Sequence, residues 1–434
     1  MAELTEEQLL LLDNLMYYQG SADAEGKTVE DICENLLADA QDYNKDTDPQ
    51  HLFSGGFEDH PEQVQEIARA ILEDETLCNL RMEKSIEDTG LRASCFVDQD
   101  GDATVAIRGT GGSYEAWRDN VIGEYDHDTY ISRNMLNYFN DLDYNNITVT
   151  GHSKGGNLAQ YVTILSDNDK VDRCVSFDGQ GFNRQFIDDH TDQVYAASPK
   201  IKSICGDKDY VNILLNTVAG ETVYLGTTSG ENWHSPYALW KENQGKTDGG
   251  IYTGTKDQNP FVKGLESGLD RLVNDGIPLL PDELEHALVN WLAGEVGTIF
   301  GKGTGQYTDA NKAETQADLD KLLKELKDYL ADGLAAAGRY LTELTAKRHK
   351  FEVSLTALKA KASELEDTAK QLKQLRNKLS SINLNGSQYG DILGAIRVVE
   401  QEIEKQQKLV SKMSEVLYRS HDLYQNAENK IKAS

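Results

Sequence analysis

Basic charge is in short supply in this 434-residue chain: 43 Lys and Arg stand against 73 Asp and Glu, a formal net of −30. That deficit argues against nucleic acid, whose binding needs a basic stripe to displace phosphate counterions. It argues equally against adhesion to anionic lipid by charge alone. Long apolar runs are missing too, since none approaches the ~20 residues needed to cross a bilayer. The start, Met-Ala-Glu-Leu-Thr-Glu-Glu, is acidic where a secretory signal would be basic. Cysteine is scarce, and the five present (33, 78, 95, 174, 205) fit neither a disulfide framework nor a zinc-ligand spacing. No other metal cluster or cofactor fingerprint stands out, so metal-independent, cofactor-free chemistry is expected. What remains is a soluble, acidic protein of two or three domains, long enough for a sizeable core.

The scarce residues are also unevenly placed. All seven prolines lie at or before Pro281, all four tryptophans at or before Trp291, and no cysteine follows Cys205. Residues 305–434 carry 21 Lys and Arg against 19 Asp and Glu, a net of +2, which leaves −32 on the first 304. Two physically different modules are expected: residues 1–300, a linker at 301–305 (Gly-Lys-Gly-Thr-Gly), and residues 306–434.

The first module opens with apolar residues at helical spacing: Leu9, Leu12 and Leu15, then Val29, Ile32 and Leu36, then Val64, Ile67 and Ile71 behind Pro61. From Ala93 the period shortens. Ser94–Val97, Asp100-Gly101 and Ala103–Arg108 read as a β-hairpin. Further strands are expected at Ile147–Thr150, Arg173–Phe177, Ile201–Cys205 and Thr222–Leu225, with helices between several of them. That alternation indicates an α/β fold with a mostly parallel sheet. Residues 241–260 read as a loop or flap, and 261–300 as helical, with Pro281-Asp282-Glu283 opening a segment.

The tail has no strand signal. Leu358, Ala362, Leu365, Ala369, Leu372 and Leu379 keep near-heptad spacing, and Ile392, Ile396, Val399, Ile403, Val410, Met413 and Leu417 resume it after a polar break. Two long helices in an antiparallel αα-hairpin are expected, making an all-α module after the α/β one. Another helix should start near Leu319 and run to about Lys350.

The chemistry centres on Gly151-His152-Ser153-Lys154-Gly155. A G-x-S-x-G match alone is weak, and a Gly-rich turn with an incidental serine would also produce it. Here it follows the apolar Ile147–Thr150 and precedes an amphipathic Asn157–Leu165, the strand–turn–helix setting that a nucleophile elbow needs. A serine hydroxyl also needs a base to take its proton. In an α/β-hydrolase the order is Ser, acid, His. His234, in a turn-rich loop after the last strand signal, fits the base better than His190, His286, His349 or His421. The acid should lie in the turn after Ile201–Cys205, where Asp209 is preferred and Asp207 is the alternative. Asp178, ending the preceding strand, is a third candidate. Backbone N–H groups of Lys154 and of Thr110, in the Gly-rich end of the hairpin strand, are the expected oxyanion donors.

Several ordered motifs together resemble a known family. Arg108-Gly109-Thr110, Trp117-Arg118-Asp119, the elbow with Gly156-Asn157, Phe177-Asp178-Gly179-x-Gly181-Phe182 and Gly206-x-x-Asp209-Tyr210-Val211 look like a Firmicute α/β-hydrolase family related to the class 3 lipases. The resemblance spans roughly residues 1–240 and implies ester hydrolysis by Ser153, His234 and Asp209. It departs at Gln180, where proline is expected, which touches no catalytic role.

The tail resembles the LXG/WXG100-like helical hairpins of type VII secretion substrates. Leu384-Asn385-Gly386 lies in the interhelical loop, and Tyr424-x-x-x-Glu428 resembles the export signal that follows such hairpins. A catalytic N-terminus with this tail resembles the reversed-order type VII lipase toxins of Gram-positive bacteria. That resemblance implies a lipid substrate and transient contact with a membrane surface. It also implies small WXG100-like chaperones on residues 305–434, the type VII machinery, an immunity protein, and export without a signal peptide. Phe261, Leu265, Leu269, Leu279, Leu280 and Trp291 are candidates for apolar contact with a lipid aggregate. Two other readings stay open: a cytoplasmic carboxylesterase with an oligomerising tail, and a non-enzymatic interaction protein on a hydrolase fold.

Overall fold

The computed structural model describes residues 3–44, 52–126, 128–144, 146–166, 170–209, 211–226, 234–245, 282–303, 308–325, 328, 355–380 and most of 397–425. By internal packing the chain divides into one unit of residues 1–266 and 296–308, and another of 267–295 and 309–434. Segment 267–295 therefore groups with the tail, where the expected break lay at 301–305. The helix Asp282–Gly303 runs through the first three residues of that expected linker. A glycine costs a helix only ~1 kcal/mol, and this helix already buries Leu284, Leu288 and Trp291. Trp291 is fully buried, so it does not offer the lipid contact expected of it.

The first unit begins with helices α1 (Glu6–Leu15), α2 (Val29–Gln41), α3 (Pro61–Leu72) and the short α4 (Glu75–Cys78). Thr5 with Gln8 and Thr28 with Asp31 form capping boxes at the starts of α1 and α2. Pro61 takes the first turn of α3, where its missing N–H has no helical partner to lose. Helix α1 buries Leu9, Leu10, Leu12 and Leu15 completely. It is a core helix laid across the sheet rather than a surface helix with one apolar stripe.

Seven strands form one sheet in chain order: β1 (Arg81–Asp88), β2 (Leu91–Val97), β3 (Ala103–Ile107), β4 (Ile147–His152), β5 (Val171–Phe177), β6 (Ile201–Gly206) and β7 (Glu221–Leu225). The first three are antiparallel, and every pair from β3 onward is parallel. The parallel pairs need crossovers. Helices supply three of the four: α5 (Tyr114–Tyr125) and α6 (Tyr130–Asn140), then α7 (Lys154–Leu165), then α8 (Arg184–Asp189) and α9 (Thr191–Ala197); a loop joins β6 to β7, and α10 (Pro236–Glu242) follows β7. Alternate strand residues feed two apolar layers. Phe96, Ala106, Val175 and Ile204 join α1–α3 on one face. Cys95, Val105, Val149 and Cys174 join α6 and α7 on the other.

Strand β1 lies outside the expected set, which began at Ala93. Its sequence, Arg-Met-Glu-Lys-Ser-Ile-Glu-Asp, buries only Met82 fully. Charged residues on an exposed edge discourage pairing with another chain, and they also hide the alternation that marks a strand.

In the second unit, residues 309–325 are helical, and the helix Leu355–Ser380 faces helical residues within 397–425. Ala362 O accepts from Ser414 Oγ at 2.8 Å, Glu366 from the Tyr418 hydroxyl at 3.1 Å, and Arg376 meets Glu404 at 3.4 Å. Ser380 meets Glu400 beyond them. Residues 362–366 meet 414–418 while 376–380 meet 400–404, so the two segments are antiparallel. Leu365, Ala369, Leu372 and Leu375 are buried on one segment, and Val399, Ile403, Val410 and Leu417 on the other. Leu384, Gly386, Tyr424, Glu428 and the expected flap from 246 onward lie outside the described residues. Among those described, no helix is long and apolar enough to cross a membrane.

Truncating Leu12 tests the role of α1. Leu12→Ala should cost about 2–5 kcal/mol in chemical denaturation, because the void opens between helix and sheet. A loss below about 0.5 kcal/mol, the range of a surface change, would place α1 outside the cooperative core.

Candidate active site

Strand β4 and helix α7 meet at Ser153, which stands at φ 61° and ψ −127°. A side-chain-bearing residue is strained there and persists only when its neighbours hold it. The neighbours are specific. A Cβ on Gly151 would fall 2.4 Å from the Gly155 backbone, and one on Gly155 would fall 2.1 Å from Ile107 O. Only glycine fits either place. Ser153 N–H donates to Phe177 O at 2.9 Å, which ties the turn to the end of β5.

His234 arrives just ahead of α10, whose first turn is set by the Ser235 cap and Pro236. Its Nε2 lies 2.7 Å from Ser153 Oγ, and its Nδ1 lies 2.5 Å from Asp209 Oδ2. With Asp209 accepting at Nδ1, a neutral ring turns its Nε2 lone pair toward the serine hydroxyl. The other Asp209 oxygen accepts the N–H groups of Val211 (2.7 Å) and Asn212 (2.8 Å), and the residue is 1% exposed. Ser153, His234 and Asp209 thus form one continuous hydrogen-bonded line. The alternative acid, Asp207, is not part of it; its N–H donates to Leu225 O at 2.9 Å, continuing the β6–β7 pairing.

Asp178, the third acid candidate, sits beside this line at φ 49° and is fully buried. Its Oδ1 accepts from Gly206 N–H at 2.6 Å and from Asn212 Nδ2 at 2.9 Å. Asn212 therefore braces both aspartates, Asp178 with its amide and Asp209 with its backbone. His152 packs against His234 with the rings tilted by 33° and 4.8 Å between centroids, and its Nδ1 lies 2.8 Å from the Tyr17 hydroxyl.

Burial and charge pull these groups in different directions. Burial lowers the His234 imidazole, but Asp209, by charge and hydrogen bond, and then Asp178 outweigh it, so the ring titrates above its ordinary value. His152, buried and next to His234, titrates well below it. Burial, followed by the Asp209 charge, raises the Asp178 carboxyl above the usual carboxylate range.

The expected oxyanion donors flank the serine. Lys154 opens α7, so its N–H has no acceptor within the helix. Thr110 follows Gly109, where a Cβ would lie 2.9 Å from Ser153 Cβ. The loop after β3 therefore runs directly against the elbow. Among the described residues, one trio of metal-ligand types comes together: His152, Asp178 and His234, with ligand atoms within 4.8 Å of one another. Both His234 nitrogens are already engaged by Ser153 and Asp209, so a cation there would compete with that line.

Residues 77–252 match the Mbeg1-like family model. That span runs from α4 past α10 and contains Ser153, Asp209 and His234. Among solved structures, the chain is similar to the crystal structure of M37 lipase, with 16% identity and a TM-score of 0.26. The likeness covers 64% of this chain and 93% of that one, and is too loose to carry residue roles. No curated protein sequence matches the chain. The mostly parallel sheet with its covering helices is an α/β architecture, and a helical C-terminal region follows it.

Tyr17, Asn120 and Asn212 gave no signal in the sequence, and Asp119 stood only within the Trp117-Arg118-Asp119 motif, with no role attached to it. Tyr17 meets His152 across 135 residues, so no local spacing could have paired them.

The raised His234 value gives a measurable sign. Its ring resonances should titrate by NMR with a midpoint above 6.5, because Asp209 and Asp178 favour the protonated form. A function that needs the neutral ring would fall as pH drops through that midpoint. In Asp209→Asn, burial should dominate and move the midpoint below 6.5. A midpoint unchanged by Asp209→Asn would remove Asp209 as the electrostatic partner.

Proposed function

We propose that this protein is a serine ester hydrolase of the lipase type, with Ser153 as nucleophile, His234 as base and Asp209 as its orienting acid. The carrying observation is the continuous line from Ser153 Oγ through His234 to Asp209 on a strained elbow. Ser153 Oγ attacks the ester carbonyl carbon while His234 Nε2 takes the hydroxyl proton. The carbonyl oxygen becomes an oxyanion facing the N–H groups of Lys154 and Thr110. Collapse breaks the ester C–O bond, and the alcohol leaves with the proton from His234. Water, deprotonated by the same ring, then releases the acid and restores the serine.

A glycerolipid, phospholipid included, is the proposed substrate class, supported by the lipase-like fold and by Phe261, Leu265, Leu269, Leu279 and Leu280 in the chain. With −32 on the first 304 residues, contact with a lipid aggregate would rest on apolar insertion rather than charge. Hydrolysis of a panel of phospholipids, neutral glycerolipids and short soluble esters tests both levels. Ser153→Ala should lose at least about 10³-fold in kcat while staying folded. Near-wild-type turnover in that variant would sink the triad, and activity confined to short esters would leave a carboxylesterase. Activity kept in Asp209→Asn but lost in Asp207→Asn would move the acid role to Asp207.

For the tail we propose a type VII export module that binds small WXG100-like helical partners, with the enzyme secreted from a Gram-positive bacterium as an effector countered by an immunity protein. The antiparallel helical pair within 355–425 supports this reading. Tyr424→Ala and Glu428→Ala should block export while leaving hydrolysis unchanged. Normal export of both variants would defeat the secretion reading and favour an oligomerising tail.

A further inference from the structure

The proposed oxyanion donors come from two separate places, the loop after β3 and the first turn of α7. Their side chains converge on one helix. Lys154 Nζ lies 3.3 Å from Asp119 Oδ2, and Asn120 Nδ2 donates to Thr110 Oγ1 at 2.7 Å. Asp119 and Asn120 are consecutive residues of α5.

The Lys154 contact is built in rather than incidental. The Lys154 and Asp119 side chains are 6% and 10% exposed, so the ammonium cannot serve a substrate in solvent. Asp119 Oδ2 also accepts the Thr129 hydroxyl at 3.1 Å, which anchors it from the start of α6. One turn along α5, a Cβ on Gly123 would sit 2.9 Å from Lys154 Nζ, so glycine there leaves room for the ammonium. Replacing a buried ion pair with apolar residues of similar volume is often neutral or stabilising. Stability alone is therefore a poor reason to keep one beside a nucleophile.

We propose that Asp119 and Asn120 are positioning residues, through which α5 sets both oxyanion donors relative to Ser153. The inference rests on the ester-hydrolase reading. Neither residue touches the reacting atoms. Asp119 holds the Lys154 side chain, and with it the first turn of α7, while Asn120 holds Thr110. A shift of α5 would then move both donors together. A misplacement on the order of 1 Å can cost about 100-fold in rate.

The test uses the full-length protein with a soluble ester and a boronic acid that forms a tetrahedral adduct on serine. Asn120→Leu should lower kcat about 10-fold or more at little-changed KM, and should weaken the boronic acid by a similar factor. Asp119→Asn alone leaves a buried unpaired ammonium, which is destabilising in itself, so the deciding variant is Asp119→Leu with Lys154→Met. That double variant should recover the wild-type melting temperature while kcat and boronic-acid affinity stay low. Recovery of kcat along with the melting temperature would reduce the pair to a packing role and overturn the proposal. An Asn120→Leu enzyme with unchanged kcat and adduct affinity would overturn the Thr110 arm. If the wild type neither hydrolyses any ester nor binds the boronic acid, the ester-hydrolase reading fails first, which separates the two failures.

Discussion

One backbone conformation governs the geometry of the site: Ser153 at positive φ between β4 and α7. Strain of this kind costs about 1–3 kcal/mol and must be over-determined by what surrounds it. Gly151 and Gly155 remove the atoms that would collide with Gly155 and Ile107, and the Ser153 N–H bond to Phe177 closes the turn against β5. The sheet is what makes that closure possible. Strands β3, β4 and β5 run parallel in adjacent positions, so their C-terminal ends deliver the Gly109–Thr110 loop, the elbow and Asp178 to one edge.

The elbow was legible because it is local: five residues, an apolar strand before them and a helix after. The order Ser, Asp, His was legible because the fold restricts where a base and an acid can enter. The acid was harder. Asp207, Asp209 and Asp178 all lie just beyond strand ends, and the choice depends on hydrogen bonds that no spacing reveals. Asp209 is singled out by its reach to His234 and by the turn that gives its other oxygen two backbone N–H donors. Strand β1 was hidden by the charges that guard its edge. The break between modules was misplaced because glycines at 301 and 303 suggested a linker where a helix continues.

What the sequence could not display is the layer behind the site. Tyr17 approaches His152 from the end of α1, and Asp119 and Asn120 reach Lys154 and Thr110 from α5. These are polar residues on elements that otherwise read as packing helices. Tyr17 and Asn120 carry no motif signature, and the Trp117-Arg118-Asp119 motif does not reveal the partner of Asp119, because each contact depends on how a helix docks on the sheet.

The two buried aspartates show how that layer separates roles. Both lie near His234, and a second negative charge beside the first is unfavourable in a dry site. Asp209 receives two backbone N–H groups and the imidazole. Asp178 receives one backbone N–H and an amide, is fully buried, and has its carboxyl raised by burial and then by the Asp209 charge. Asn212 touches both, so the loop that presents Asp209 is held in place by the residue that is left out of the line. Asp178 then acts as the fixed post against which the acid loop is set, and its strained backbone at φ 49° belongs to the same edge of the sheet as the strained serine.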